Sequence, residues 1–389
     1  MIRKTLSNSF QQFFHSEKSS GILLITCTLI SLLVTNSYAG ADYLRVWHHA
    51  IAGMSLSHWI NDGLMAIFFL MIGLELEREL YSGELADFKK ALLPIFAALG
   101  GMLVPALIHL SLNANTPTQP GVGIPMATDI AFAIGILALL GNRIPASLKV
   151  FVVAFAVIDD LGAALLIALF YTAHLNLGYL LAAVAVWLLL VGFNRMRVMS
   201  LLPYLIGGAV LWLLMLKSGV HATIAGIALA FAIPFSAKRD DAKSPSHQLE
   251  HLLHKPVAFI ILPIFALANT GVLIDADLLN ALSSNLNSIG IMAGLVIGKP
   301  LGVVCLCWIA VRSGLCKLPP ELNWRHIIGA GILGGIGFTM SIFITNLAFV
   351  EQAEVINASK MAILMGSLLA GILGYAWLKW LTKIQPESA

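Results

Sequence analysis

Residues 121–141 read GVGIPMATDIAFAIGILALLG, and this stretch decides how the chain folds. It is apolar and has the length of about 20 residues that a bilayer-crossing helix needs, yet Gly123 and Pro125 stand just ahead of Thr128 and Asp129. Proline removes a backbone donor and disfavours helix in the residue before it, so the spacing predicts a helix that breaks inside a span. Backbone groups freed by such a break are tolerated in a membrane only against protein or a water-lined cavity. The freed carbonyls and the Thr128 hydroxyl are hard oxygen ligands suited to an alkali cation, and the positive end of a half-helix favours an anion such as Asp129. A proline kink with a capping aspartate would read the same way.

The rest of the chain supplies the setting. Of 389 residues 59% are hydrophobic and 11% charged, with mean hydropathy +0.88, whereas a soluble domain has roughly 45–50% and 25%. About twelve apolar stretches can be placed, at residues 20–37, 59–80, 91–112, 122–141, 147–172, 177–193, 200–216, 219–235, 254–273, 287–311, 326–349 and 360–382. No sizeable soluble domain fits between them, which excludes an aqueous hydrolase, a nucleic-acid binder and a soluble receptor. With the loops assigned alternately, 19 of the 23 Lys and Arg fall on one side; Arg45, Lys217 and Lys360 fall on the other, and Lys299 lies inside a span. The positive-inside rule puts the 19 in the cytoplasm, and with them both termini, as an even number of spans requires. The expected fold is an all-α polytopic membrane protein, residues 1–389 forming one transporter domain. Lys18 and the apolar run behind it also outline a signal peptide; an uncleaved first span is the preferred reading. Cys27, Cys305, Cys307 and Cys316 have no zinc spacing and read as small core hydrophobes.

Charges within a span cost roughly 2.5–3.5 kcal/mol each on insertion scales and mark function by default. Asp159 and Asp160 sit side by side in span five, in VIDDLGAALL. Successive helix residues point about 100° apart, so the two carboxylates face neighbouring sectors and need separate partners. Lys299, in GLVIGKPLG of span ten, is the lone cation within a span, and Asp159 or Asp160 is its natural partner; a lysine snorkelling from a span end is the bland alternative. Span eleven carries Gly331, Gly334, Gly335 and Gly337 ahead of Thr339 and Ser341, a pattern that close helix packing alone can explain. Its place in the chain suggests more. Spans three to five and ten to twelve are triplets with an interrupted middle member and opposite starting topology, which points to an inverted repeat, about 91–172 and 287–382, with a site at the midplane.

A carboxylate in a partly dehydrated cavity can hold either a proton or a metal ion near neutral pH. If the site opens to each face in turn and changes sides only when occupied, competition between the two ligands couples sodium movement one way to proton movement the other. Sodium bound at the carboxylate would break the Lys299 ion pair and favour loss of the lysine proton. More than one proton per sodium makes the exchange electrogenic.

Six motifs carry a resemblance. HWINDGLMAIFFLMIGLELEREL (58–80), ATDIAFAIGILALLG (127–141), FAVIDDLGAALLIALFYT (155–172), LKSGVHATIAG (216–226), GKPLG (298–302) and GIGFTMSIF (335–343) together resemble the NhaA-type sodium/proton antiporters of bacterial inner membranes. That family is itself a known inverted-repeat case, so the two pointers are not independent. The resemblance implies twelve spans with the fourth and eleventh interrupted and crossing at the midplane, and export of sodium or lithium ions against protons with no cofactor. It makes Asp160 the principal cation ligand, with Asp159 joining it or pairing with Lys299. Thr128 lies at the crossing, beside Gly335, Gly337 and Thr339 of the interrupted eleventh span, and Asp129 and Lys299 compensate the half-helix ends. It assigns pH sensing to Glu75, Arg78, Glu79, Glu250, His251 and His254 at the cytoplasmic ends. Histidine titrates near neutrality, although a charge run at a span end is more often a solvated face. Asp62 and His221 match motifs without a clear role. A homodimer is the expected assembly, but the segment between Asn36 and Asp62 is shorter than in better-known members, which puts a hairpin-mediated dimer contact in doubt.

Two other readings use the same residues. A sodium-coupled symporter of a small organic solute needs a roomier cavity than the Asp159, Asp160 and Lys299 group suggests. An intramembrane aspartyl protease could draw on Asp129 and Asp160, but leaves Lys299 and the glycines of span eleven without a role.

Overall fold

The computed structural model describes residues 2–171, 175–236 and 244–384, and most of that length is helical. In chain order come α1 (Ile2–Thr35), α2 (Gly40–His48), a hairpin of β1 (Ala50–Ile51) and β2 (Met54–Ser55), α3 (Leu56–Ser82), α4 (Phe88–Asn113), a 3-10 segment (Gln119–Met126), α5 (Ile130–Leu140) and α6 (Ala146–Phe170). They are followed by α7 (Leu177–Arg195), α8 (Leu202–Ser218), α9 (Ile224–Ala230), α10 (Pro245–Asn269), α11 (Ala276–Ser284), α12 (Leu286–Arg312), α13 (Trp324–Gly334), α14 (Phe338–Ala348) and α15 (Ala353–Ile384). Among the described residues eight helices are long and apolar enough to cross a membrane, or ten if each of two bent pairs is one span. The pairs are α1 with α2, bent by 115°, and α13 with α14, bent by 45°. Of the basic residues on the majority side, Lys238, Arg239 and Lys243 lie outside the described residues.

The chain divides into two compact units. The first takes Met1–Tyr38, Asp87–Ala163 and Thr270–Ala389. Here glycines let α4 and α12 approach at backbone distance: a Cβ on Gly100 would stand 2.0 Å from the Gly302 carbonyl oxygen, and one on Gly294 would stand 2.6 Å from Pro125. α12 is not regular. It widens to a π turn over Gly294–Gly298, directly before Lys299, and such turns recur at functional sites. The second unit, Ala39–Ala86 and Ala164–Asn269, packs α9 against α3 through Gly226, whose Cβ would fall 2.2 Å from the Ala66 oxygen. Leu70, Leu74, Tyr204, Leu229 and Ile233 form a core there.

Several boundaries differ from the sequence reading. The stretch expected as a span at 219–235 is helical only over Ile224–Ala230; Gly219 takes a left-handed φ of 83° and Pro234 ends the segment. The span expected from residue 254 begins instead at Pro245, because Ser244 caps the helix through the His247 N–H and proline suits the first helical position. The last helix likewise starts at Ala353 rather than at residue 360. The shortened segment before α3 does keep a hairpin, pairing Ala50 with Ser55 and Ile51 with Met54 around Ala52 (φ 51°) and Gly53 (φ 86°).

Candidate functional site

The break in the 121–141 stretch falls at residues 127–129, between the 3-10 segment and α5. A second break, Gly335–Gly337, separates α13 from α14. The two breaks meet: the Asp129 N–H donates to the Ile336 carbonyl at 2.6 Å, and the Thr128 hydroxyl donates to the Gly334 carbonyl at 2.9 Å. Glycine is required here by proximity, since a Cβ on Gly335 would stand 2.3 Å from the Leu295 oxygen and one on Gly337 would stand 3.1 Å from the Ala127 oxygen.

One carboxylate serves two helix starts. Asp129 Oδ1 accepts from the Phe132 N–H in the first turn of α5, while Oδ2 accepts from the N–H and hydroxyl of Thr339 in the first turn of α14, at 3.1 and 2.5 Å. Helix N-termini carry partial positive charge and unpaired N–H groups, so a buried anion at this point is held from both sides.

The cation sits at the opposite kind of end. Lys299 Nζ lies 2.6 Å from Asp159 Oδ2 and donates to Thr128 Oγ1 at 2.8 Å, and that hydroxyl continues to the Gly334 carbonyl near the C-terminus of α13. Phe155 lies 5.7 Å from the ammonium. Lys299 and Asp159 are both 0% exposed and Asp160 is 1% exposed. Lys299 thus pairs with Asp159, and Asp160 is near enough to act on its charge. The second oxygen of Asp159, Oδ1, is buried and meets no hydrogen-bond donor. A buried acceptor in that condition has room for a proton or a small cation, the two species that an exchanger must choose between. Asp160, Thr128 and Lys299 therefore lie in one neighbourhood, with Asp129, Gly335, Gly337 and Thr339 at the adjoining breaks.

The second unit holds two further charged groups. Arg78, in α3, is 2.8 Å from Glu250, 2.9 Å from Glu79 and 3.7 Å from Glu75. His251 is exposed and takes no part in any ion pair found among the described residues, and His254 is half-buried. The sequence reading missed His247, 3.6 Å from Glu250, and the buried Glu77, which accepts from Ser246 at 2.9 Å. It also missed His58, 3.0 Å from Asp62; the i,i+4 spacing of these two was the available signal. His221 stands in the turn before α9, within electrostatic reach of Asp62 and His58.

A family profile described as Na+/H+ antiporter 1 matches residues 11–378. The chain is 67% identical over 376 residues to a protein of Dechloromonas aromatica named Na(+)/H(+) antiporter NhaA, covering 96% of each chain. It is 57% identical to one of the same name from Flavobacterium psychrophilum, covering 97% of each, and 49% identical to one from Vibrio alginolyticus, covering 96% of this chain and 97% of the relative. With identity this high over nearly the full length, and with the acid pair, the buried lysine and the two broken helices in contact, the chain belongs to the Na+/H+ antiporter 1 family.

Proposed function

We propose that this chain is an electrogenic, pH-regulated antiporter that exports sodium or lithium in exchange for protons. One observation carries the reading: a buried Lys299–Asp159 ion pair is wired through Thr128 to a helix break, beside Asp160 and with an undonated Asp159 oxygen. Asp160 and Asp159 bind the cation with help from Thr128. A sodium ion arriving at Asp159 competes with Lys299 for the carboxylate; the ammonium, fully buried, is then without a counter-ion and releases its proton. Protonation from the other face restores the pair and expels the sodium. Asp129 holds the N-terminal ends of α5 and α14 while the Lys299–Thr128 link serves the C-terminal end of α13, so an ion can come and go without leaving the half-helices unsatisfied.

The architecture proposed is twelve spans in a bacterial inner membrane with both termini cytoplasmic, the interrupted fourth and eleventh crossing at the midplane, and repeats at about 91–172 and 287–382. Reaching twelve counts α8, of 17 residues, and the seven-residue α9 as spans. Both repeats lie in the first compact unit, which supports their kinship. Glu75, Arg78, Glu79 and Glu250 form the core of the proposed pH sensor, with His247 joining and His251 and His254 following on the same helix. A homodimer remains the proposed assembly. The relatives are named as antiporters along nearly their whole lengths, and the symporter alternative is dropped.

The test is proton-dye dequenching in everted membrane vesicles on addition of sodium or lithium, from pH 6.5 to 8.5. Cation-dependent dequenching that Asp160→Asn abolishes is the expected result. A well-inserted wild type that stays silent at every pH overturns the proposal.

A further inference from the structure

Two apolar grooves run along opposite sides of α15. The first, about 530 Å³, is walled by α1, α5 and α15 through side chains such as Ile25, Leu29, Ile136 and Leu368, and it reaches Phe338 beside the second helix break. The second, about 760 Å³, is walled by α12, α13 and α15 through Ile297, Leu301, Ile332 and Leu373. Ala376 lines both and forms the ridge between them.

The grooves finish at a rim of aromatic and basic side chains. Lys379 Nζ lies 5.2 Å from the centre of the Tyr375 ring, and the Arg325 guanidinium lies 5.9 Å from that of Trp380. Trp377 stacks near Trp380 at 5.6 Å and donates its indole N–H to the Arg325 carbonyl at 2.9 Å, which ties the start of α13 to the end of α15. Both cations are exposed, and among the described residues neither pairs with a carboxylate. Trp and Tyr settle at headgroup depth in a bilayer, so the rim marks where the apolar grooves pass into the polar interface.

We propose that α15 carries a binding site for an anionic phospholipid of the surrounding bilayer, its phosphate held by Lys379 and Arg325 and its two acyl chains lying in the two grooves. The site rests on the membrane-spanning reading of α15. Two grooves that straddle one helix and converge on one pair of cations match the shape of a two-chain lipid with a single phosphate. A polar or peptidic occupant would meet almost no hydrogen-bonding partner along either groove. The net negative charge separates this lipid from a zwitterionic one, and the cations lie on the side to which the charge distribution assigns the cytoplasm, where anionic lipids attract each nearby Lys or Arg by a free energy corresponding to about a fivefold change in affinity. The chain in the first groove would rest against the turn that begins α14.

The experiment uses full-length protein in phosphatidylcholine nanodiscs doped with phosphatidylglycerol, with retained lipid counted by native mass spectrometry after detergent release. Wild type should retain phosphatidylglycerol in preference to phosphatidylcholine, and Lys379→Gln and Arg325→Gln should each lower retention about fivefold. Gly371→Leu, which puts a side chain into the first groove, should lower it with the cations intact. Lys89→Gln, an exposed lysine at the start of α4, should leave it unchanged. Retention that survives the double charge variant, or that falls equally with Lys89→Gln, overturns the site. So does equal protection of detergent-solubilised protein by glycerol phosphate alone, which would mean a free-phosphate site. Lipid mass is read without transport, so an inactive exchanger that still retains the lipid separates failure of the antiport reading from failure of this one.

Discussion

Lys299 and Asp159 neutralise each other in a place with no water, and breaking a buried pair by removing one partner costs about 3–5 kcal/mol. Lys299→Met and Asp159→Asn should each lower the thermal midpoint in detergent. The double variant should regain most of the loss, because no charge is left stranded; a double variant as unstable as the sum of the singles would show that the pair is not the source. The same logic governs Arg78, which is shared by Glu75, Glu79 and Glu250. With Arg78→Met the three carboxylates lose their common counter-ion, so destabilisation should be greatest at alkaline pH, where all three are ionised, and should shrink on acidification as protons take the place of the arginine. Melting curves at pH 5.5 and 8.5 check the sign. Asp159, Asp160 and Lys299 were legible in the sequence because charged letters in apolar runs have few innocent explanations. Which acid takes the lysine was not, since it depends on the heading of Lys299 out of α12. His58 and His247 were legible only as spacings within one helix, and the sequence reading passed over them.

Among the elements, glycine marks two different conditions. At Gly100 an added Cβ would stand 2.0 Å from a backbone oxygen that has nowhere to retreat, so Gly100→Ala should force α4 and α12 apart and destabilise by about 1–3 kcal/mol, as overpacking does. At Gly192, in α7, a Cβ meets nothing within 4 Å. There alanine should be neutral or stabilising by up to about 1 kcal/mol through helix propensity. Opposite signs for the two substitutions, read from thermal midpoints, are the check. Broken helices were legible from Pro125 and from the glycine cluster at 331–337, whereas the true extent of α9 and α10 was not. A hydropathy window sees Val220 to Phe235 as one apolar run and is blind to a left-handed φ at Gly219; equally, it discounts the polar turns after Ser244, although Ser-Pro is a sound helix start.

For the whole molecule the testable quantity is competition. If one carboxylate site serves both ions, each unit of acidification in the range where it titrates should raise the sodium concentration needed for half-maximal exchange about tenfold per proton displaced, with little change in the rate at saturating sodium. Initial rates against sodium at several pH values decide this, and a half-saturation constant indifferent to pH would argue for separate sites. The two triplets were visible in the sequence as interrupted segments at corresponding places. That they, with α1, compose one compact unit while α2, α3 and α7–α10 compose another was not visible, because hydropathy reports which residues leave water and is silent about which partners they choose.

The π turn at Gly294–Gly298 makes the site sensitive to register. A wide turn holds one residue more than ordinary winding would use, and everything beyond it inherits the offset. Deleting a single residue there would let α12 wind regularly and swing Lys299 by about 100°. Its ammonium would turn away from Asp159 while every charged letter of the chain stayed in place. A relative with all the acids and the lysine but one residue fewer in that turn would match the motifs and still lack the wiring.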